Sequence, residues 1–228
     1  MRNLFGEVKA MIYPLAKVKE KEKNMIVDCN NQEQIRGLGF RVNKKHERVF
    51  ISGNGEYGGI VFRNFPTVTT DGANFTGCIF ENTQAIEFSR AKVKNCTFRN
   101  VSEISGHFTD FSGCTFVRCH SQGPFLTVDY AGSVEGCTFQ TVTALGRDGY
   151  VIYSIYGRKK DVREIKRCKF IDCRAESRDG LITYASYYTS RFSHKTKEIE
   201  NVDLRSCDFG GVDSVCIGSF ETGSEEDQ

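Results

Sequence analysis

The sequence predicts an all-β protein: a right-handed parallel β-helix of about seven coils with an N-terminal cap. Three observations predict this fold. A Cys-x-Phe triplet recurs at least six times, its first copies are evenly spaced, and Gly- and Asn-rich bends separate short apolar stretches. The chain has 22 Gly but only 3 Pro, which favours many tight turns between extended segments. Apolar residues make up 39% of the 228 residues, enough for one continuous core.

The triplet predicts a strand with one buried face. Residues two apart on a strand point to the same side, so Cys and Phe are both expected in the core. The residue between them is Ile or Thr in four of six copies, which suits a half-exposed strand position. The predicted core positions are Cys78, Phe80, Cys96, Phe98, Cys114, Phe116, Cys137, Phe139, Cys168, Phe170, Cys207 and Phe209.

The spacing of the triplets predicts stacked coils. Starting from Ile60, which replaces Cys in an earlier copy, the step is 18 residues three times (78−60, 96−78, 114−96). The step then widens to 23, 31 and 39 residues (137−114, 168−137, 207−168). A constant step followed by growing insertions indicates a solenoid whose later coils carry protruding loops. A pentapeptide-repeat helix is the nearest alternative, and 18 is not a multiple of five.

The chain is expected to have three parts. Residues 1–50 are predicted to form a helical or irregular cap, because uncovered strand edges invite association, and Pro14 interrupts any long helix there. Residues 51–220 are predicted to form the β-helix. Residues 221–228 hold four acids and no base and are expected to be a disordered tail.

Composition sets the expected setting of the chain. The N-terminus has no signal-type apolar region and no run reaches membrane-spanning length, so a cytoplasmic location without membrane contact is expected. Ten cysteines are then expected to be reduced thiols that act as small hydrophobic residues. The net charge of +2 is too small to imply nucleic-acid binding by itself.

The evenly spaced rungs resemble those of the pectin-lyase-like right-handed β-helix superfamily, over roughly residues 55–220. This resemblance is specific for architecture and weak for function, because that superfamily includes lyases, hydrolases, phage tailspikes and plain scaffolds. A lyase-like site would need several outward Asp residues for Ca²⁺ and an Arg. A hydrolase-like site would need clustered carboxylates at glycosidase separation.

The sequence holds only fragments of such sites. Hydrolases of this superfamily have Gly-His-Gly and Arg-Ile-Lys motifs. Here Gly106-His107 is followed by Phe108, and the segment 163–166 (Arg-Glu-Ile-Lys) is a distorted version of Arg-Ile-Lys. Asp110 and Asp129 lie on successive coils and could share a face, although a solvated bend explains them as well. No catalytic residue and no cofactor is therefore predicted.

No metal site is predicted either. Cys114/Cys119 and Cys168/Cys173 have C-x4-C spacing, but zinc needs four converging nitrogen or sulfur ligands. The triplets instead arrange the cysteines in a row, and free Cys is commonly buried. Core packing is the preferred interpretation.

The two large insertions carry the functional prediction. They follow the second strand of consecutive coils, so they are expected to emerge side by side. From Tyr153 to Glu200 there are twelve Lys or Arg against seven Asp or Glu. Basic residues interleaved with Tyr and Phe suit phosphates and bases or an acidic protein surface, although long surface loops are often simply polar. The predicted partner-binding residues are Tyr153, Tyr156, Arg158, Lys159, Lys160, Tyr187, Tyr188, Arg191, Phe192, Lys195 and Lys197.

These observations favour a non-enzymatic binding scaffold with a protein partner, such as an inhibitor, immunity or adaptor protein. The first alternative is a nucleic-acid-binding protein, whose affinity would fall steeply with salt. The second is a polysaccharide lyase or hydrolase, or a carbohydrate-binding β-helix, which would depend on Asp110 and Asp129. The oligomeric state is not predicted.

Overall fold

The computed structural model describes residues 25–42, 48–129, 132–146, 148–156, 165–176, 183–187, 199–200 and 203–205. This part of the chain is all-β, with one short helix and strands that pair almost entirely in parallel. Within it, no helix is long and apolar enough to cross a membrane.

The elements up to the middle of the chain are β1 (Ile26–Asp28), α1 (Gln32–Gly37), β2 (Arg41–Val42), β3 (Arg48–Ser52), β4 (Glu56–Gly58), β5 (Val61–Arg63), β6 (Thr67–Asp71), β7 (Asn74–Thr76), β8 (Ile79–Ser89), β9 (Lys92–Lys94), β10 (Thr97–His107), β11 (Asp110–Ser112) and β12 (Thr115–Val117). They are followed by β13 (His120–Ser121), β14 (Leu126–Asp129), β15 (Ser133–Glu135), β16 (Thr138–Gln140), β17 (Thr143–Ala144), β18 (Ile152–Tyr156), β19 (Ile165–Lys166), β20 (Lys169–Ile171), β21 (Arg174–Ala175), β22 (Thr183–Tyr187), β23 (Ile199–Glu200) and β24 (Asp203–Arg205).

The described strands form three sheets. The largest contains the strands of the Cys-x-Phe triplets, flanked by β5 and β24, in the order β5-β8-β10-β12-β16-β20-β24, together with a second row that includes β3, β6, β14, β18 and β22. The second sheet has the order β23-β19-β15-β11-β9-β7-β4, and the third is β13-β17-β21. Strands β8 and β10 run through both rows of the largest sheet and join them.

Equivalent residues of successive repeats are direct partners. Phe62 pairs with Phe80, Phe80 with Phe98, and the series continues through Phe116 and Phe139 to Phe170. The six rings stack nearly parallel, with centroids 4.6–5.2 Å apart and interplanar angles of at most 12°. The ten predicted core positions from Cys78 to Phe170 are all buried. Offset aromatic stacking adds to the burial energy of such a column.

The last described strand has a different register from the expected one. Leu204 pairs with Phe170, whereas the position of the last Cys-x-Phe triplet predicts Phe209 at that place. Two pairs of apolar residues, Ile199/Leu204 and Leu204/Phe209, have the same five-residue spacing as Ile165 and Phe170. The structure uses the earlier pair, with Ile199 beside Ile165. Cys207 and Phe209 themselves lie outside the described residues.

Three columns of left-handed residues form the bends of each repeat. The first precedes the Cys position and contains Gly59, Gly77, Asn95, Gly113, Gly136 and Arg167, all with positive φ. The second follows the Phe position and contains Asn64, Asn82, Asn100, Arg118, Thr141 and Asp172. The third contains Gly72, Arg90 and Phe108. Gly and Asn adopt this conformation at the lowest cost, which explains why these two residue types recur between the strands.

Residues 25–42 cover the first repeat. Strand β1 pairs in parallel with β5, and β2 pairs antiparallel with β3. Ile35 and Phe40 are buried, and the Phe40 ring lies 5.6 Å from Tyr57 and 6.1 Å from Phe62. The side chain of Asn31 caps α1 by accepting a hydrogen bond from the backbone N–H of Gln34 at 3.1 Å. The rest of the predicted cap, residues 1–24 and 43–47, lies outside the described residues.

Candidate functional site

The two insertions leave from paired strand ends. Strands β18 and β22 lie side by side in parallel, with Tyr153 opposite Tyr184 and Tyr156 opposite Tyr187. The sequence predicts insertions at 154–161 and 185–197, but residues 154–156 and 185–187 belong to these two strands, which end at Tyr156 and Tyr187. The backbone therefore brings the starting points of the two insertions together.

The structure places three of the predicted binding residues. Tyr153 is half-buried, and its ring lies 5.6 Å from that of Tyr150, which is fully buried. Tyr156 and Tyr187 are placed by their backbone at the paired strand ends. The other members of the predicted set, Arg158, Lys159, Lys160, Tyr188, Arg191, Phe192, Lys195 and Lys197, lie outside the described residues.

A pair of polar residues, His107 and Asp129, lies in the row of the largest sheet that contains β18 and β22. His107 and Asp129 are direct partners at the ends of β10 and β14, and Ile155 of β18 continues their column. The Nδ1 atom of His107 lies 2.7 Å from Oδ2 and 2.8 Å from Oδ1 of Asp129. Burial raises the pKa of the Asp129 carboxyl, and the neighbouring His107 opposes this shift. The pair therefore links two successive repeats beside the start of the insertions.

The two acids of the carbohydrate alternative have separate partners. Asp129 is held by His107, while Asp110 accepts a hydrogen bond from the hydroxyl of Ser133 at 2.7 Å. Each carboxylate thus joins its own repeat to a neighbouring one.

A polar groove of about 390 Å³ follows one bend across several repeats. It is lined by Asn54, Glu56, Gly72, Asn74, Arg90, Ala91, Lys92, Phe108 and Asp110. Asn74 donates to Glu56 at 2.8 Å and accepts from the backbone N–H of Lys92 at 2.8 Å. Two acids and two bases line the groove, so its formal charge is balanced.

Phe108 forms part of the groove in an unusual conformation. Its φ is +51° and 58% of its surface is exposed, whereas Gly72 and Arg90 occupy the equivalent bends. A bulky residue in the left-handed region carries backbone strain, which is often found at functional sites. This groove is not predictable from the sequence, because only the alignment of the bends in the structure distinguishes Phe108 from its counterparts.

A column of thiols runs through the core beside the first set of bends. Cys78, Cys96, Cys114, Cys137 and Cys168 are free and buried, and the backbone carbonyl of each of the first four accepts a hydrogen bond from the residue that follows the next Cys of the column. Hydrogen bonding to Cys96 and burial raise the pKa of Cys78, and hydrogen bonding to Cys114 raises the pKa of Cys96 to about 12. Thiols with such pKa values are protonated at neutral pH and unreactive as nucleophiles.

The thiols also donate to backbone carbonyls. The Sγ of Cys78 lies 3.3 Å from the carbonyl oxygen of Tyr57, and that of Cys114 lies 3.3 Å from the carbonyl oxygen of Val93. Across the described ranges, no group of three or more His, Cys, Asp or Glu side chains converges as a metal site would require. The column is therefore well suited to core packing and unsuited to tetrahedral zinc.

No protein-family model matches the chain, and a search of curated proteins found no similar sequence.

Proposed function

We propose that the chain is a right-handed parallel β-helix of the pectin-lyase-like kind that acts as a non-enzymatic binding scaffold. Its partner is a protein with an acidic surface, which it would engage as an inhibitor, immunity or adaptor protein. The observation that carries the proposal is the paired end of β18 and β22, where Tyr156 lies opposite Tyr187. Two basic, aromatic insertions that start from neighbouring strand ends can form one continuous surface.

Further support comes from the rigidity of the base beneath the insertions. Parallel pairing in register continues from β10 through β14 and β18 to β22, and the buried Phe column extends to Phe170. Loops held on a stiff sheet lose less conformational entropy on binding than loops on a mobile base. Charged residues in them would accelerate association with an oppositely charged surface.

The first prediction concerns these insertions. Changing Arg158, Lys159, Lys160, Arg191 and Lys195 together to Glu should abolish capture of the protein partner in pull-downs from the source cells, measured by quantitative mass spectrometry. The unfolding midpoint should stay unchanged, since the substitutions lie beyond the paired strands. The matched control changes five exposed bases elsewhere, Arg36, Arg41, Lys94, Arg99 and Arg118, to Glu and should retain the partner.

The outcome separates the alternatives. Equal retention by both variants would contradict the proposal. If the retained material is nucleic acid, its affinity should fall by orders of magnitude between 50 and 200 mM salt, as counterion release requires; a protein partner should show a modest salt effect.

The carbohydrate alternative is favoured by one observation, the groove beside the exposed Phe108. It predicts that Asp110→Asn with Asp129→Asn removes binding or cleavage of acidic polysaccharides, measured with polygalacturonate as the probe. Phe108→Gly should weaken such binding without loss of stability, because Gly72 has the same place in an earlier repeat.

A further inference from the structure

The thiol column has a geometry that core packing alone does not use. Its five cysteines, from Cys78 to Cys168, each directly precede a strand, and these strands pair in parallel and in register, so the five buried side chains are stacked one repeat apart. Apolar side chains such as Ile60, which occupies the same place in the first repeat, fill this position equally well. We propose that the column binds soft monovalent cations with a filled d shell, Cu(I) or Ag(I), between successive sulfurs.

Strand spacing fits such a cation. Neighbouring strands lie about 4.8 Å apart, and a metal–thiolate bond is about 2.3 Å long. Two bonds in a line therefore span about 4.6 Å, close to the separation that one repeat imposes. Small side-chain rotations of the two cysteines would turn their sulfurs from the backbone carbonyls to which they now donate to a shared metal ion.

The same geometry selects against zinc. Each gap in the column presents two sulfurs, one above and one below, and the described residues contain no third or fourth converging ligand. Zn²⁺ needs four ligands in a tetrahedron. Thiolate sulfur is a preferred ligand of Cu(I), and ions of this kind accept two ligands in a line.

Proton and charge balance can be met inside the dry core. An ion M⁺ that enters a gap between two thiols binds one sulfur as thiolate and the other as thiol, and releases one proton: M⁺ + 2 RSH gives RS–M–S(H)R + H⁺. Four ions in the four gaps between Cys78 and Cys168 displace four protons from five thiols. The charge of the core is unchanged at each step, which avoids the cost of a buried net charge.

The bends provide a short path to the sulfurs. Gly77, Gly113 and Gly136 directly precede Cys78, Cys114 and Cys137. A Cβ atom added at Gly77 or Gly136 would meet nothing within 4 Å. A single layer of backbone without side chains thus separates the column from solvent at these bends, and local opening there would admit an ion.

The test titrates the reduced protein with silver nitrate in chloride-free buffer, with excess free methionine to remove weakly bound ions. Native mass spectrometry then counts the bound Ag(I). Three variants each lose one thiol: Cys78→Val at the end of the column, Cys96→Val inside it, and Cys119→Val outside it. Val fits the Cys119 position because Val101 and Val142 occupy that column in the neighbouring repeats.

The expected losses relative to the unsubstituted protein differ between the variants. Cys119→Val should lose no ion, Cys78→Val one and Cys96→Val two, because an interior sulfur serves two gaps. Cys114→Val should repeat the loss of two if Cys96→Val proves unstable. Ag(I) affinity should also rise about tenfold for each unit by which the pH is raised, for each ion, since each displaces one proton. Equal losses in all variants, or no binding that withstands methionine, would overturn the proposal.

Discussion

At the scale of the residue, the described core contains a buried hydroxyl without a hydrogen-bond partner. In the described part of the chain, the hydroxyl of Thr70 is a buried side-chain atom with no hydrogen-bond partner. Its direct neighbours in the sheet are Ile51 and Phe88, both apolar. Burial of an unpaired hydroxyl costs free energy that the folded state does not recover.

Thr70→Val should therefore raise the free energy of unfolding by about 1 kcal/mol. Urea denaturation at pH 7 measures the change. The matched control is Thr83→Val, because Thr83 is equally buried but its hydroxyl donates to the carbonyl oxygen of Glu81 at 3.4 Å. The control should give no gain, and an equal gain in both variants would contradict the assignment of the cost to the unpaired hydroxyl.

At the scale of the element, the second column of bends is held by a ladder of amides. Asn82 donates to Asn64 at 3.2 Å, Asn100 donates to Asn82 at 3.0 Å, and Asn64 donates to Asp28 at 3.0 Å. All three asparagines have φ between +50° and +61°. Asn thus serves both the backbone conformation and the contacts between repeats.

Substitutions at Asn82 separate these two roles. Asn82→Gly keeps the left-handed backbone and loses only exposed amide bonds, so it should cost less than about 1 kcal/mol. Asn82→Ala should cost about 1 kcal/mol more, because a Cβ is unfavourable at positive φ. Chemical denaturation of both variants gives the difference. If the Gly variant were the less stable of the two, the backbone conformation would not be what selects Asn here.

The sequence predicts the strands better than the bends. Cys-x-Phe identifies β12, β16 and β20 because period-two burial needs only two apolar residues to be recognised. The bends at Arg118 and Thr141 are left-handed without Gly, Asn or Asp, so their residue types carry no signal, and tertiary contacts determine the conformation. The predicted register of β24 is wrong for a related reason. Ile199/Leu204 and Leu204/Phe209 have the same spacing, and only packing distinguishes the two pairs.

The candidate site was predictable only in part. The side-by-side origin of the insertions followed from their equal place in consecutive repeats and agrees with the pairing of Tyr156 and Tyr187. The pairing of His107 with Asp129 depends on the register between β10 and β14, which are 22 residues apart (129−107) instead of 18. That offset arises from an insertion whose place within the repeat the sequence alone does not define.

At the scale of the whole molecule, the buried thiols make stability depend on alkaline pH. Burial raises the pKa of Cys119 and of Cys168 to about 11, from an ordinary value of 9.0. Because the thiol pKa is higher in the folded state than in the unfolded state, the stability that the protonated thiols contribute is fully present below pH 9. It is lost as the pH rises through the pKa values of the folded state. Each of these thiols then lowers the free energy of unfolding by up to about 1.4 kcal/mol per pH unit.

The free energy of unfolding should thus be nearly constant from pH 7 to 8.5 and fall between pH 9 and 11. Urea titrations at fixed pH, under reducing conditions, measure the slope. Cys119→Val should show a shallower decline than the unsubstituted protein, so that the difference in stability between them shifts in favour of the variant as the pH rises. Parallel curves over this range would show that Cys119 does not ionise on unfolding.

The in-register pairing also constrains how the gene can change in length. Three pairs of direct partners show this: Phe98 and Phe116 are 18 residues apart, Ile104 and Leu126 are 22, and Phe111 and Val134 are 23 (116−98, 126−104, 134−111). The strands remain in register although the separation grows, so the additional residues lie between paired strands and not within them. One codon inserted inside a strand would exchange its core and solvent faces. Tolerated insertions and deletions should therefore fall at the bends or comprise whole repeats, so that the protein can lengthen by duplication without any new packing solution.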